Sequence, residues 1–191
     1  ERFYFDRPYY YSVNTIKKIF EKQKMFVFDA EKISPHGGSI RIYIKNEKVK
    51  KTKRLIKLIK DEKIFLKKKN LNKFSSKINI FVKSLKKNLE QFKKDKNNVI
   101  GYGSPAKATT VLNYYGISNK HIDYIIEDNE LKHNRFLPGM KIPIKAKTEA
   151  LKNPPDYLLV LAWNFLNDIK LNNPDLVKAG CKFVTLKDLD W

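Results

Sequence analysis

The chain has 191 residues, 42% hydrophobic and 13% aromatic, which excludes a wholly disordered protein. The formal net charge of +20 is uneven, because residues 45–97 hold 20 Lys and Arg against 5 Asp and Glu. The single cysteine, Cys181, excludes an internal disulfide and is typical of a reducing compartment, so we expect a cytoplasmic protein. No apolar run reaches the ~20 residues that span a bilayer, and we expect no membrane partner.

The first 45 residues predict one helix and a β-hairpin after an aromatic opening. Ser12 is a suitable N-cap for a helix that runs to about Lys24. The segments MFVFDAEKI and SIRIYIK alternate apolar and polar residues, as strands with one buried face do. The SPHGG sequence between them predicts a tight connection with His36 at its tip.

Residues 46–96 are lysine-rich and predict a long helical connection. Apolar residues in its second half recur every three or four positions: Ile78, Phe81, Val82, Leu85, Leu89 and Phe92. No motif for reading nucleic-acid bases accompanies the lysines. We therefore interpret the positive charge as a solvated helical face that attracts polyanions weakly and in a salt-dependent way.

Residues 97–191 alternate predicted strands and helices. The strands are NNVIGYG, IDYIIED, MKIPI, PDYLLVLAW and CKFVTL. One helix, PAKATTVLNYY, ends at Gly116, and another covers FLNDIKLNNPDLVKAG. Apolar strands separated by helices indicate an α/β fold with a mostly parallel, Rossmann-like sheet that is covered on both faces.

The first of these strands leads into a glycine turn. Gly101, Gly103 and Ala106 fit G-x-G-x-x-G/A between a strand and a helix, and Glu127 ends the next strand about 20 residues later. The helix N-terminus would attract an anion, and Lys107 would add a positive charge. Spacing alone suggests NAD as the ligand, and a turn needed only for packing is the alternative.

Three segments together resemble the C-terminal domain of the sugar-nucleotide C-methyltransferases, which use S-adenosylmethionine and act on a dTDP-linked 4-keto deoxysugar. They are GYGSPAKATTVLNYYGI, IDYIIEDNELKHNRFLPGMKIPI and PDYLLVLAWNF. The HGGS-x-R element at residues 36–41 and the opening YFDRPYYYS extend the resemblance over nearly the whole chain. The resemblance implies a remnant of the methyltransferase core in residues 1–45. It also implies a helical connection in 46–96 and a sugar-nucleotide-binding domain in 97–191, and it ranks a nucleotide sugar above NAD.

Methylation of a carbon beside a ketone needs a base for the α-proton and a donor to the enolate oxygen. The resemblance assigns the base to His36 and catalytic roles to Tyr4, Tyr10 and Asp6. Positions 5–7 read Phe-Asp-Arg where the family has His, Glu and His, and a guanidinium is not a base at ordinary pH. This departure favours, as an alternative, a non-catalytic relative that binds a nucleotide sugar or a partner.

The resemblance assigns substrate binding to residues in both halves of the chain. They are Ser39, Arg41, Gly101, Tyr102, Gly103, Ser104, Ala106, Lys107, Glu127, Trp163 and Asn164. Core packing and a helix N-cap are the alternative roles for Trp163 and Asn164. His121 and His133 are expected at the surface because they lie outside any motif. The sequence has no zinc-type cysteine cluster and no second nucleotide-type glycine turn. We therefore expect it to bind no metal or S-adenosylmethionine, and to need a separate cofactor-binding domain or subunit for methylation.

Overall fold

The computed structural model describes residues 9–35 and 38–189. Contacts divide these residues into two compact units, 9–77 and 78–189. The first unit contains helix α1 (Val13–Lys22), strands β1 (Phe26–Ile33) and β2 (Ser39–Lys45), helix α2 (Lys53–Phe65) and the start of α3 (Lys68–Lys94). The predicted first helix and hairpin are confirmed, and Ser12 caps α1 by accepting the Thr15 backbone N–H at 3.0 Å.

The hairpin packs on its helices around a small apolar core. β1 and β2 pair antiparallel, with a bulge between Val27 and Asp29. The core residues are Val13, Val27, Ala30 and Leu55. Asp29 links β1 to α2, because its carboxylate accepts hydrogen bonds from Arg54 and from the Thr52 hydroxyl. The Arg54 hydrogen bond is the main cause that lowers the pKa of Asp29 to about 2.

Helix α3 carries the predicted apolar stripe along its second half. Leu85, Leu89 and Phe92 are buried in the core of the second unit. The first ten residues of the helix are mostly exposed and rich in lysine. The stripe on this long helix is therefore confirmed.

The second unit is an α/β domain built on six strands. Its elements are β3 (Val99–Tyr102), α4 (Ala106–Tyr115), β4 (Ile125–Ile126), β5 (Arg135–Phe136), β6 (Pro143–Lys145), α5 (Lys147–Lys152), β7 (Tyr157–Val160), α6 (Leu166–Leu171), α7 (Pro174–Lys178) and β8 (Lys182–Val184). The strand order is β5-β6-β4-β3-β7-β8, and β5 alone pairs antiparallel within this sheet. The predicted fold class is confirmed.

Buried residues cover both faces of this sheet. Alternate positions of β3 divide between two clusters, with Val99 beside α3 and α4 and Ile100 beside α6 and α7. Helix α4 ends at Gly116, whose φ of 65° is in the left-handed region that favours glycine. No helix in residues 9–35 or 38–189 has the length and apolarity to cross a membrane.

Three expectations about this unit need correction. The predicted FLNDIKLNNPDLVKAG helix is two helices, because Asn172 and Asn173 interrupt it and Pro174 begins α7. Strand β5 was not predicted. His121 is 7% exposed rather than at the surface, and its Nδ1 accepts the Ser118 backbone N–H at 3.1 Å. Burial lowers the pKa of His121 below its ordinary value.

Candidate functional site

A cavity of about 350 Å³ lies at the carboxyl ends of β3, β4 and β7. Twelve residues line it: Tyr102, Gly103, Ser104, Pro105, Glu127, Asp128, Lys132, Ala162, Phe165, Asp168, Ile169 and Asn172. β3 pairs with β4 on one side and with β7 on the other, so the chain connections diverge at this point. Open α/β sheets bind their ligands at such a switch point.

The glycine turn forms one wall of the cavity. Gly101 is fully inside β3, where an added Cβ would meet Ile125 Cγ1 at 2.8 Å. Gly103 has a φ of 81°, and a Cβ there would lie 3.3 Å from Ala162 Cβ. The two glycines therefore meet different requirements, close packing at position 101 and a left-handed backbone at position 103.

The Glu127 carboxylate occupies the turn itself. Its Oε2 accepts the Ser104 backbone N–H at 2.8 Å, the Ser104 hydroxyl at 2.5 Å and the Lys132 ammonium at 3.2 Å. Its Oε1 accepts the Asn129 backbone N–H at 3.3 Å. Burial alone would raise the pKa of Glu127, but these hydrogen bonds outweigh burial and lower it to about 2. The anion beside the glycine turn thus belongs to the protein itself.

A buried tyrosine holds the second carboxylate of the cavity. The Tyr102 hydroxyl lies 2.7 Å from Asp128 Oδ2 and accepts a hydrogen bond from Asn173 Nδ2 at 3.2 Å. Burial raises the pKa of Tyr102 to about 12. The Asn173 hydrogen bond opposes this shift, and Asp128 adds to it. Tyr102 therefore remains a neutral donor that fixes the Asp128 carboxylate at the cavity wall.

Tyr102→Phe should lower the free energy of unfolding by about 1–2 kcal/mol, because it removes a partner from both Asp128 and the buried Asn173. Urea unfolding followed by tryptophan fluorescence measures the change. Tyr114→Phe is the matched control, because Tyr114 is 66% exposed. Equal stability of the two variants would show that the Tyr102 hydroxyl has no such role.

The charges that line the cavity are predominantly negative. Glu127, Asp128 and Asp168 contribute three carboxylates against the single ammonium of Lys132. Carboxylates accept hydrogen bonds from hydroxyl and amino groups and repel phosphates. The cavity is therefore suited to the hydroxyl-bearing part of a ligand.

Comparison with known proteins identifies the family of this chain. Residues 34–186 match the family described as the C-methyltransferase C-terminal domain. The chain belongs to this family. It is also 25% identical over 179 residues to the C-methyltransferase NovU of Streptomyces niveus, an alignment that covers 92% of this chain and 43% of NovU. The chain thus spans less than half the length of that curated relative, and the resemblance to C-methyltransferases is confirmed.

Four of the residues assigned to substrate binding line the cavity: Tyr102, Gly103, Ser104 and Glu127. Ala106 and Lys107 lie in the first turn of α4, and Lys107 Nζ is 4.1 Å from the centroid of the Trp163 ring. Trp163 and Asn164 form a 3-10 turn after β7, and Trp163 packs against the core beside α3 and α4. Lys107 and Trp163 therefore form a cation–π pair outside the cavity lining.

Gly101 lies inside β3 and does not line the cavity, and the other assigned residues belong to the N-terminal part of the chain. The Ser39 hydroxyl donates to the Pro35 carbonyl at 3.0 Å, and Arg41 forms an exposed ion pair with Glu31 at 3.3 Å. Tyr10 is 46% exposed. His36, Tyr4 and Asp6 lie outside the described residues, so the catalytic roles assigned by resemblance stay predictions.

Sequence reasoning missed several residues of the cavity. Asp128 follows Glu127 directly at the end of β4. A carboxylate at the end of a parallel strand could have been predicted to line a ligand site from the sequence. Lys132 lies in the short 3-10 turn that follows. Phe165, Asp168 and Asn172 come from the segment around α6, and no motif marks them. Only the packing of α6 beside β3 brings them to the cavity.

Proposed function

We propose that this chain is the nucleotide-sugar-binding part of an S-adenosylmethionine-dependent sugar C-methyltransferase. The observation that carries the proposal is the acidic cavity at the strand ends of a C-methyltransferase C-terminal domain. Asp128 and Asp168 accept hydroxyl groups of the ligand there, and Phe165 supplies an apolar wall. The ligand class is a dTDP-linked 4-keto sugar, with its diphosphate away from the three carboxylates.

S-adenosylmethionine supplies an electrophilic methyl group when it is bound to such an enzyme. The cavity does not fit S-adenosylmethionine or NAD. Both ligands present an adenosine ribose to the acid that follows the second strand of the sheet in chain order, which is β4 here. That acid is Glu127, and protein donors already engage both of its oxygens. We therefore assign the cofactor to a separate domain or subunit.

The catalytic part of the proposal concerns the N-terminal segment. His36 would remove the α-proton of the keto sugar, and Tyr4 or Tyr10 would donate to the enolate oxygen. The HGGS-x-R sequence and the needs of the reaction support these roles. The alternative is a non-catalytic relative, which the Asp-Arg pair at positions 6 and 7 favours. If methyl transfer to the keto sugar occurs after a matching cofactor domain is added in trans, the catalytic role is supported over the non-catalytic alternative.

Isothermal titration with dTDP-glucose, dTDP and NAD tests the proposed ligand class. We expect dTDP-glucose to bind and NAD not to bind. Asp128→Asn with Asp168→Asn should weaken dTDP-glucose binding about tenfold, because each neutral amide is a poorer acceptor for hydroxyl groups. Asp175→Asn in α7 is the matched control for the change in charge.

The sign of that change shows which end of the ligand occupies the cavity. Tighter binding by the double variant would place the diphosphate beside the carboxylates, because removing negative charge favours phosphate. Tight NAD binding without any response to dTDP-glucose would overturn the proposed function.

A further inference from the structure

The turn between α2 and α3 carries an exposed apolar surface. Ile64, Phe65 and Leu66 are consecutive and expose 49%, 55% and 49% of their surface. Leu71 and Phe74, at the start of α3, are also exposed, and the Phe65 and Phe74 rings pack edge to face at 6.4 Å. These five residues form the apolar corner. Exposed apolar residues are usually scattered singly, so a contiguous group indicates an interaction surface.

Lysines flank the apolar corner along the chain and outnumber the adjacent Asp61 and Glu62. Lys63 precedes it, residues 67–69 are all lysine, and Lys73 and Lys77 follow on α3. All of these lysines are exposed. Positions 63–89 contain nine lysines and neither Asp nor Glu. The charge around the corner therefore matches an anionic surface and opposes contact with a second copy of this chain.

The exposed face continues a pattern that is buried further along the same helix. Leu71 and Phe74 extend the stripe that leads through Ile78 and Phe81 to the buried Leu85. The first half of the stripe thus has the periodicity of a contact face while it remains open to solvent. This arrangement is typical of amphipathic helices that lie on a membrane surface.

We propose that the apolar corner binds the surface of an anionic lipid bilayer. Ile64, Phe65 and Leu66 enter the boundary between headgroups and acyl chains, and the flanking lysines contact the anionic headgroups. Consecutive positions of a helix do not share one face, so a fluid lipid interface covers this turn more readily than one flat protein face does. This proposal replaces the expectation of no membrane partner with binding at the bilayer surface. It does not depend on the ligand proposed for the cavity.

Phe65→Trp gives a direct test with vesicles of phosphatidylcholine, with and without phosphatidylglycerol. With phosphatidylglycerol present, we expect a blue shift of the tryptophan emission and quenching by brominated acyl chains. Leu171→Trp is the matched control, because Leu171 is 78% exposed in the second unit and should show neither effect. Unchanged Phe65→Trp emission with both kinds of vesicle would overturn the proposal.

Co-sedimentation separates insertion from attraction by lysines alone. Changing Ile64, Phe65 and Leu66 together to serine should weaken binding to the anionic vesicles at least about tenfold, because buried apolar side chains contribute much of interfacial binding. Added salt should weaken it further. Equal binding by this triple variant and the unchanged chain would overturn the proposal. So would binding to poly-glutamate through the same corner without vesicle binding, which would indicate an acidic protein partner.

Discussion

Gly101→Val should destabilise the second unit by about 2–3 kcal/mol, the upper part of the usual range for overpacking. Gly101 lies in β3 at the centre of the sheet, and an added Cβ would meet Ile125 Cγ1 at 2.8 Å and Leu161 Cδ1 at 3.3 Å. Valine adds two further methyl groups beyond this already crowded Cβ, and such overpacking typically costs about 1–3 kcal/mol, occasionally more. Urea unfolding followed by circular dichroism measures the loss.

A double-mutant cycle identifies the contact that causes this loss. Ile125→Ala alone should cost about 2–5 kcal/mol, because Ile125 is fully buried. Gly101→Ala combined with Ile125→Ala should be less destabilised than the sum of the two changes, because the alanine at position 125 removes the clashing Cγ1. Additive effects would contradict the close packing of β3 against β4.

Glu127→Gln should remove a component of stability that depends on pH. Since folding lowers the pKa of Glu127 from 4.5 to about 2, its contribution is complete above about pH 5 and is lost as pH falls toward 2. The carboxylate is partly open to solvent, so we expect roughly 1–3 kcal/mol at pH 7. The glutamine amide also replaces one acceptor oxygen with a donor, so it cannot accept both the Ser104 and the Asn129 backbone N–H.

The measurement is urea unfolding of the unchanged chain and of Glu127→Gln between pH 2 and pH 7. The two stabilities should converge as the solution becomes acidic. Glu130→Gln serves as the control, because Glu130 is exposed and close in the chain to Glu127. A constant difference between the unchanged chain and Glu127→Gln across this pH range would contradict the described role of the carboxylate.

The sequence predicted most of the fold because its signals are local. The apolar strands between helices, the Ser12 cap and the Gly116 stop each depend on a few neighbouring residues. Strand β5 escaped prediction because Arg135 and Phe136 are both exposed and form only two pairs with β6. The break before Pro174 carried a signal, the Asn-Asn-Pro sequence, that the apolar periodicity of the segment obscured.

The candidate site was predicted only in part, because its remainder depends on distant contacts. The glycine turn and Glu127 follow a known spacing and were found. The same spacing could not show that Ser104 and Lys132 engage Glu127, since that depends on side-chain geometry. Asp168 reaches the cavity through the packing of α6, 41 positions after Glu127 in the chain. Sequence spacing therefore indicated the region of the cavity but not that the Glu127 carboxylate accepts the Ser104 N–H in the glycine turn.

The most direct test of the nucleotide-sugar cavity is an NMR titration of the ¹⁵N-labelled chain with dTDP-glucose. We predict that the largest amide shifts fall on Ser104, Asp128, Phe165 and Asp168, with small shifts at the exposed Asp175. Saturable shifts centred on any other surface, or no shifts at concentrations that saturate calorimetric binding, would contradict the assignment of the ligand to this cavity.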